Sequence, residues 1–196
     1  MKLKPGDKAP FFETADVYGM NQTSTGDGSS TVHLTFYRHA GCPPCNLRVH
    51  ELMQAKTELD RLSVKEIGIF ESTAEHIRKD MAHSGDVPFP ILADRERRLY
   101  AKYAVEPSLS GFIGSFLLRP AYSMKAIFRY GYIPKFAEAT TMMPAEFLIA
   151  PDGRIKLAHY GTHLGDYIPL ETLYQALEDM NSSITVLPGS RQGSVA

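Results

Sequence analysis

The period of the apolar positions changes several times along the chain, and each change predicts an element. Thr31 to Tyr37 (Thr-Val-His-Leu-Thr-Phe-Tyr) is β-branched and aromatic, with turn formers Gly26 to Ser30 before it and Gly41 after it, which predicts a strand. From Cys45 the period turns helical, with Leu52, Met53, Leu59 and Leu62 set among Glu51, Lys56, Glu58, Asp60 and Arg61. Lys65 to Phe70 reads as a second strand and completes a β-α-β unit. Ser72-Thr73-Ala74-Glu75 has the form of a helix cap, opening a helix to about His83. Phe89 to Ala93 is short and extended, and Asp94 is expected to cap a helix carrying Leu99, Tyr100 and Tyr103. Ala145 to Ala150 and Arg154 to Tyr160 flank Pro151-Asp152-Gly153, a hairpin signal. A last helix, Pro169 to Met180, sets Leu170, Leu173, Ala176 and Leu177 on one face, and 181–196 reads as a loose tail. A short strand or hairpin near Phe11 to Val17 precedes all of this.

One segment does not fit that alternation. Residues 106–143 include Phe112, Ile113, Phe116, Leu117, Leu118, Tyr122, Ile127, Phe128 and Tyr130, too apolar for a linker. It is expected to be a helical insertion that packs on the core, covers the active site or forms a subunit interface.

Length and charge narrow the picture. A chain of 196 residues suits a single domain, with the insertion and tail as elaborations, and it can bury a core without disulfides or a structural metal. The formal net charge is −1, which leaves no basic excess to neutralise phosphates, so neither nucleic acid nor a membrane is expected as a partner. The apolar run Gly111 to Leu118 ends at Arg119-Pro120, far short of the roughly 20 residues of a membrane helix. Met1 to Asp7 holds no apolar core of signal-peptide length, so the expected location is cytoplasmic.

The chemistry gathers at Cys42-Pro43-Pro44-Cys45, which holds both cysteines of the chain. It falls where the strand gives way to the helix. A helix start carries unsatisfied amides and about half a positive charge, which favours a thiolate, the form that attacks disulfides and peroxides. Pro43 and Pro44 preset the helical φ and lose no hydrogen bond in a first turn. Arg38 and His39, just upstream, can add positive potential. A structural zinc needs four ligands, and no second cysteine pair exists, so no metal and no cofactor are expected. His33 alternates with Val32 and Leu34, and His50 lies inside the helix, which marks both as surface or core residues.

The order β, Cys-x-x-Cys, α, β, α, then a proline-preceded hairpin and a final helix resembles the thioredoxin-like fold: α/β, a central mixed sheet flanked by helices, with a helical insertion before the C-terminal hairpin. Pro5-Gly6-Asp7-Lys8-Ala9-Pro10-Phe11, Phe89-Pro90-Ile91-Leu92-Ala93-Asp94 and Leu99-Tyr100-Ala101-Lys102-Tyr103 resemble peroxiredoxins of the alkyl-hydroperoxide-reductase and thiol-specific-antioxidant type. Arg38-His39-Ala40-Gly41-Cys42-Pro43-Pro44-Cys45 is similar to peroxiredoxin-like proteins with a Cys-x-x-Cys after an Arg-His pair. With Cys45 on the peroxidatic position, Cys42 occupies the place of the family's Thr, and no arginine stands just before Phe147-Leu148-Ile149. Both departures argue against efficient peroxide reduction. Met143-Pro144 ahead of Ala145-Glu146-Phe147 instead resembles the thioredoxin signature, which implies a cis-proline facing the cysteines and a substrate contact from Met143 and Pro144. The alternative is a proline that merely begins a strand.

The leading expectation is a thiol–disulfide oxidoreductase cycling a Cys42–Cys45 pair, on a disulfide or hydroperoxide substrate, with a thioredoxin- or glutathione-type reductant. A thiol-dependent peroxidase, a redox-sensing or metal-binding module, and an inactive scaffold are the alternatives. Which cysteine leads is open, and the insertion allows a homodimer.

Overall fold

The computed structural model describes residues 1–25, 28–81, 87–118, 120–132 and 140–185. A two-stranded N-terminal hairpin, β1 (Glu13–Ala15) and β2 (Asn21–Thr23), precedes a five-stranded sheet. The sheet comprises β3 (Thr31–Phe36), β4 (Val64–Phe70), β5 (Ile91–Ala93), β6 (Ala145–Ile149) and β7 (Ile155–Tyr160), in the order β5-β4-β3-β6-β7. β3 pairs in parallel with β4 and antiparallel with β6, so the sheet is mixed, as expected. Helices α1 (Pro43–Arg61) and α2 (Ala74–Met81) link the parallel strands, and α3 (Arg98–Lys102) follows β5. Within the insertion lie α4 (Leu109–Leu118), α5 (Pro120–Met124) and a π-helical turn, Lys125–Arg129, while its two ends meet in a bridge between Pro107 and Met142. Helix α6 (Leu170–Thr185) closes the chain's described part and runs five residues past the expected end at Met180. His83, the expected end of α2, and the tail beyond 185 lie outside the described residues.

Both faces of the sheet are covered, which is why all of β3 is buried. One face carries Val32, Leu34 and Phe36 of β3, Ile67 and Ile69 of β4, and Phe147 of β6, packed against Phe12, Tyr100 and Tyr103. Phe36 meets Tyr100 and Phe147 edge-on at 5.1 and 5.9 Å, the arrangement that ring quadrupoles favour. The other face receives α1 and α6 through Val49, Leu52, Leu59, Leu173 and Leu177. Period-two alternation turns His33 and Thr35 toward this second face. The register then sets His33 beside Glu66 of β4 and Thr35 beside Glu146 of β6. A row of polar groups therefore runs beneath α1.

Local signals account for most boundaries. Thr73 Oγ1 accepts the His76 amide at 3.3 Å, the cap predicted for α2. Asp94 accepts the amides of Arg98, Leu99 and Tyr100 at 2.9, 2.7 and 3.2 Å. It does so from several residues upstream, because Arg97, in a left-handed conformation at φ 58°, turns the chain back over it. In the β6–β7 turn the Gly153 amide bonds the Ala150 carbonyl, and only Gly153 takes a positive φ (78°), so the aspartate contributes an Oδ1 bond to the Arg154 amide instead. The irregularity between Leu148 and Ile149 absorbs the extra residue.

Gly68 on β4 leaves room for the last residue of the β3 run. A β-carbon there would lie 2.7 Å from Ile91 Cδ1 and 3.0 Å from the Tyr37 ring. Gly68→Ala is expected to overpack this spot at a cost of about 1–3 kcal/mol. Thermal unfolding should show a midpoint several degrees lower, and an unchanged midpoint would remove Gly68 from the account of how Tyr37 is seated.

Candidate redox site

The central strand β3 ends under the first turn of α1, and the loop between them is tied on every side. The Tyr37 amide bonds the Ile69 carbonyl, and the Glu71 amide bonds the Arg38 carbonyl, both at 2.8 Å. Ser72 Oγ accepts the Ala40 amide at 3.0 Å. Asn46 donates to the carbonyls of Ala40 and Cys42, at 2.7 and 3.2 Å. The His39 carbonyl accepts the Cys42 amide at 3.1 Å. Asn46 has no signal in the sequence, since a polar residue in a helix reads as ordinary surface, and Ser72 reads only as part of the cap of the following helix, not as a tie to the Ala40 amide.

Cys42 is the N-cap of α1, and Pro43 and Pro44 occupy the first two helical positions. The helix therefore starts at Pro43 rather than Cys45. Neither proline has an amide proton, so the first donor of the helix belongs to Cys45, directly over the Cys42 sulfur. No side-chain cap bond closes in this reduced form, in which both cysteines are free, but the Cys45 amide still favours the thiolate.

Arg38 supplies the counter-charge. Its Nη1 lies 3.5 Å from Cys42 Sγ. The guanidinium is held there from the insertion: Nε and Nη2 donate to the Thr140 carbonyl, and the Phe112 ring lies 5.1 Å beneath. Burial opposes ionisation of Cys42, but the Cys45 thiol, Arg38 and the Cys45 amide outweigh it and lower its pKa to about 7. Cys45 is the opposite case: burial, reinforced by Cys42, pushes its thiol well above the ordinary range. Two neighbouring thiols thus ionise at different pH, and the proton shared between them stays on Cys45. The sulfurs are enclosed, each cysteine being only 1% exposed.

The expected substrate contact takes a different form. Among the described residues every peptide bond is trans, so Pro144 is not a cis-proline. Its carbonyl accepts the Gly161 amide at 2.8 Å, extending the β6–β7 ladder, which trans geometry allows and which is the role of a strand-initiating proline. Met143 and Pro144 line a cleft of about 400 Å³ with Ser108, Gly111, Gly161 and Thr162, and neither cysteine lines it. His39 enters through its backbone carbonyl, while Arg38 is the cation on the sulfur. The loop Tyr160 to Tyr167 is built around Asp166, which accepts from the Thr162 amide and hydroxyl and from His159. It ends in Tyr167, whose ring lies 6.0 Å from that of Tyr37 behind the cysteines. Among the described residues no group of three or more His, Cys, Asp or Glu is arranged to hold a metal ion. None of their helices is long and apolar enough to cross a membrane.

The profile of the AhpC/TSA family matches residues 5–158. A search of curated proteins finds no match. Among solved structures, the chain resembles peroxidoxin BcpB from Mycobacterium tuberculosis, at 17% identity and a TM-score of 0.64 over 92% of this chain and 97% of that one. It also resembles a putative thiol:disulfide interchange protein DsbE from Chlorobium tepidum, at 18% identity and a TM-score of 0.60 over 93% and 98%. AhpC of Enterococcus faecalis is similar at 15% identity, with a TM-score of 0.66 over 100% and 99%. At such identities these likenesses establish the fold.

Arg38→Met keeps much of the stem and removes the charge. It should raise the Cys42 pKa above its value of about 7, toward that of a free cysteine near 8.5. Alkylation by iodoacetamide as a function of pH reads this directly. At pH 7 the variant should react several-fold more slowly, since a shift of one unit changes the thiolate fraction up to tenfold. A variant whose midpoint stays put would show that Arg38 does not set the thiolate.

Proposed function

The chain belongs to the AhpC/TSA family, with a thioredoxin-like fold and thiol-based oxidoreductase activity, and from that premise we propose that Cys42 is the attacking sulfur and Cys45 the resolving one. The observation that carries this assignment is the opposite environment of two equally buried sulfurs: Arg38 Nη1 and the helix start act on Cys42, while the neighbouring Cys42 holds the proton on Cys45.

In disulfide exchange the Cys42 thiolate attacks one sulfur of a substrate disulfide and expels the other as a thiolate. Cys45 then loses its proton, attacks Cys42 Sγ and releases the second substrate thiol, closing the Cys42–Cys45 disulfide. A thioredoxin- or glutathione-type dithiol or thiol, in a cytoplasmic setting, reopens it. The single domain 1–196 supplies both sulfurs, and the insertion supplies the carbonyl that holds Arg38. Met143 and Pro144 act on a substrate only from the adjoining cleft.

A second reading has its own support. The enclosure of both sulfurs and the guanidinium beside Cys42 suit a small hydroperoxide. There the thiolate attacks the terminal oxygen, the O–O bond breaks, and an alcohol or water leaves. The resulting sulfenic acid on Cys42 condenses with Cys45 to the same disulfide, losing water.

Single substitutions test the order of the sulfurs. Cys42→Ser should abolish turnover, and Cys45→Ser should accumulate a stable mixed disulfide visible by mass spectrometry. If Cys42→Ser traps substrate and Cys45→Ser does not, the roles are reversed. Side-by-side turnover of an oxidised protein disulfide and of a hydroperoxide, with one reductant, separates the two chemistries.

A further inference from the structure

Both groups that steady Arg38 beside the Cys42 sulfur come from the insertion, so whatever holds the insertion also holds the cation. The Thr140 carbonyl accepts from Nε at 3.2 Å and from Nη2, and the Phe112 ring of α4 lies 5.1 Å from the guanidinium carbon. A cation gains from a ring face only while the two stay within about 6 Å. We propose that Ser115 is a positioning residue for the thiol chemistry: it clamps α4 to the 160–167 loop and thereby keeps Phe112 under the Arg38 guanidinium that faces Cys42. The inference rests on the assignment of Cys42 as the attacking sulfur.

Ser115 is only 2% exposed. Its Oγ accepts the Leu164 amide at 2.7 Å and donates to the Gly111 carbonyl, one turn back on its own helix, at 2.6 Å. A hydroxyl has one proton and two lone pairs, so both bonds form at once. The bond within the helix is one that a serine makes in many helices, and it fixes nothing outside α4. The bond to Leu164 joins two segments 49 residues apart in the chain.

A second contact lies on the same face of α4, four residues earlier. A β-carbon on Gly111 would sit 2.4 Å from the Thr162 carbonyl oxygen and 2.9 Å from Met143 Sδ, so only a glycine lets the helix approach the loop this closely. Phe112 is the next residue. At its start α4 is capped by Ser108, whose Oγ accepts the Gly111 amide at 3.1 Å and whose own amide bonds the Thr141 carbonyl at 2.8 Å, beside Thr140. The two supports of Arg38 are thus joined at one end of the helix, and Ser115 fastens the helix further along.

The loop is a firm anchor without any help from α4. Asp166 accepts the Thr162 amide and hydroxyl at 2.7 and 2.9 Å and His159 Nε2 at 3.0 Å, the Gly161 amide bonds the Pro144 carbonyl, and the Ile168 amide bonds Glu146. Contacts then run unbroken from the loop to the sulfur: Leu164 to Ser115, α4 to Phe112, Phe112 to Arg38, and Arg38 Nη1 to Cys42 Sγ at 3.5 Å. Without the serine hydroxyl the Leu164 amide has lost its acceptor, and α4 keeps only contacts that do not fix its setting along the loop. Arg38 then retains the Thr140 carbonyl but loses the ring.

The test is the pH dependence of iodoacetamide alkylation of the reduced full-length protein, read by peptide mass spectrometry so that Cys42 and Cys45 are scored apart. Wild type, Ser115→Ala, Arg38→Met and the double variant are compared, with a thermal melt of each. Ser115→Ala should raise the Cys42 midpoint by about half a unit and slow its alkylation about threefold below that midpoint, since one unit is tenfold. In the Arg38→Met background it should add nothing, because both changes act through one contact. A serine that serves stability alone lowers the melting temperature and leaves the Cys42 midpoint in place, and that result overturns the proposal. A shift that persists without Arg38 also overturns it, since the effect would then travel along the loop to Tyr167. If Ser115→Ala fails to fold, Gly111→Ala decides with the same readouts, because its β-carbon pushes the same face of α4 off the loop while the hydroxyl stays. A wild-type Cys42 that titrates no lower than Cys45 overturns the assignment of the attacking sulfur, and the clamp with it.

Discussion

The ion pair between Arg48 and Glu146 fixes helix α1 against the sheet, and the placement of the cysteines depends on it. At 2.9 Å and fully buried, it is an expensive contact to build, because both charges leave water. It is also a directional one. Hydrophobic contacts would let α1 rotate or slide by part of a turn, whereas a guanidinium bonded to one carboxylate allows one setting. Cys45 lies three residues before Arg48, so that setting turns Cys45 toward the sheet and leaves Cys42 at the cap. Glu146 also accepts the Ile168 amide at 2.6 Å, so the same carboxylate fixes the approach to α6 and with it Tyr167. Removing one partner of such a pair strands the other charge in the core, which costs about 3–5 kcal/mol.

A similar division of labour holds at the other sulfur. Among the described residues Arg38 is held by a backbone carbonyl and an aromatic face rather than by a carboxylate. A carboxylate there would neutralise the guanidinium and leave little potential for the thiolate. A carbonyl and a ring orient the cation while leaving its charge uncompensated. Cys42 then becomes the natural counter-ion, and its ionisation completes the site's electrostatics.

The strands and helices of the core were legible because each carries its own period: Thr31 to Tyr37 alternates, the run after Cys45 does not, and Asp152-Gly153 marks a turn. The cysteine pair and Arg38 were legible because their chemistry depends on neighbours a few residues away. What the sequence hid depends on register. Whether His33 meets Glu66 or solvent is decided by a pairing of β3 with β4, and a slip of one residue would reverse it. Glu146 is one polar position in an apolar strand and Arg48 one of many charges on a helix, so neither carries a signal in one dimension. Thr140 contributes only a carbonyl, for which no side-chain signal exists. Pro144 misled because the residues that begin a strand and those that present a cis bond to a thiol look alike in one dimension.

These two ion arrangements divide the proton chemistry of one short motif. Cys42 and Cys45 are three residues apart and identical in kind, so their intrinsic acidities are equal. The cap position separates them first, since two prolines leave the Cys45 amide as the nearest donor to Cys42. Arg38 widens the gap from above, and burial against Tyr37 and Tyr167 widens it from below. A nucleophile needs its proton gone at neutral pH, and a resolving thiol needs to keep its proton until the mixed disulfide has formed. If both were thiolates the pair would repel and fail to hold a common geometry; if neither were, no attack would begin. The fold meets both requirements by placing a single helix start between an uncompensated cation on one side and a closed, charge-balanced core on the other.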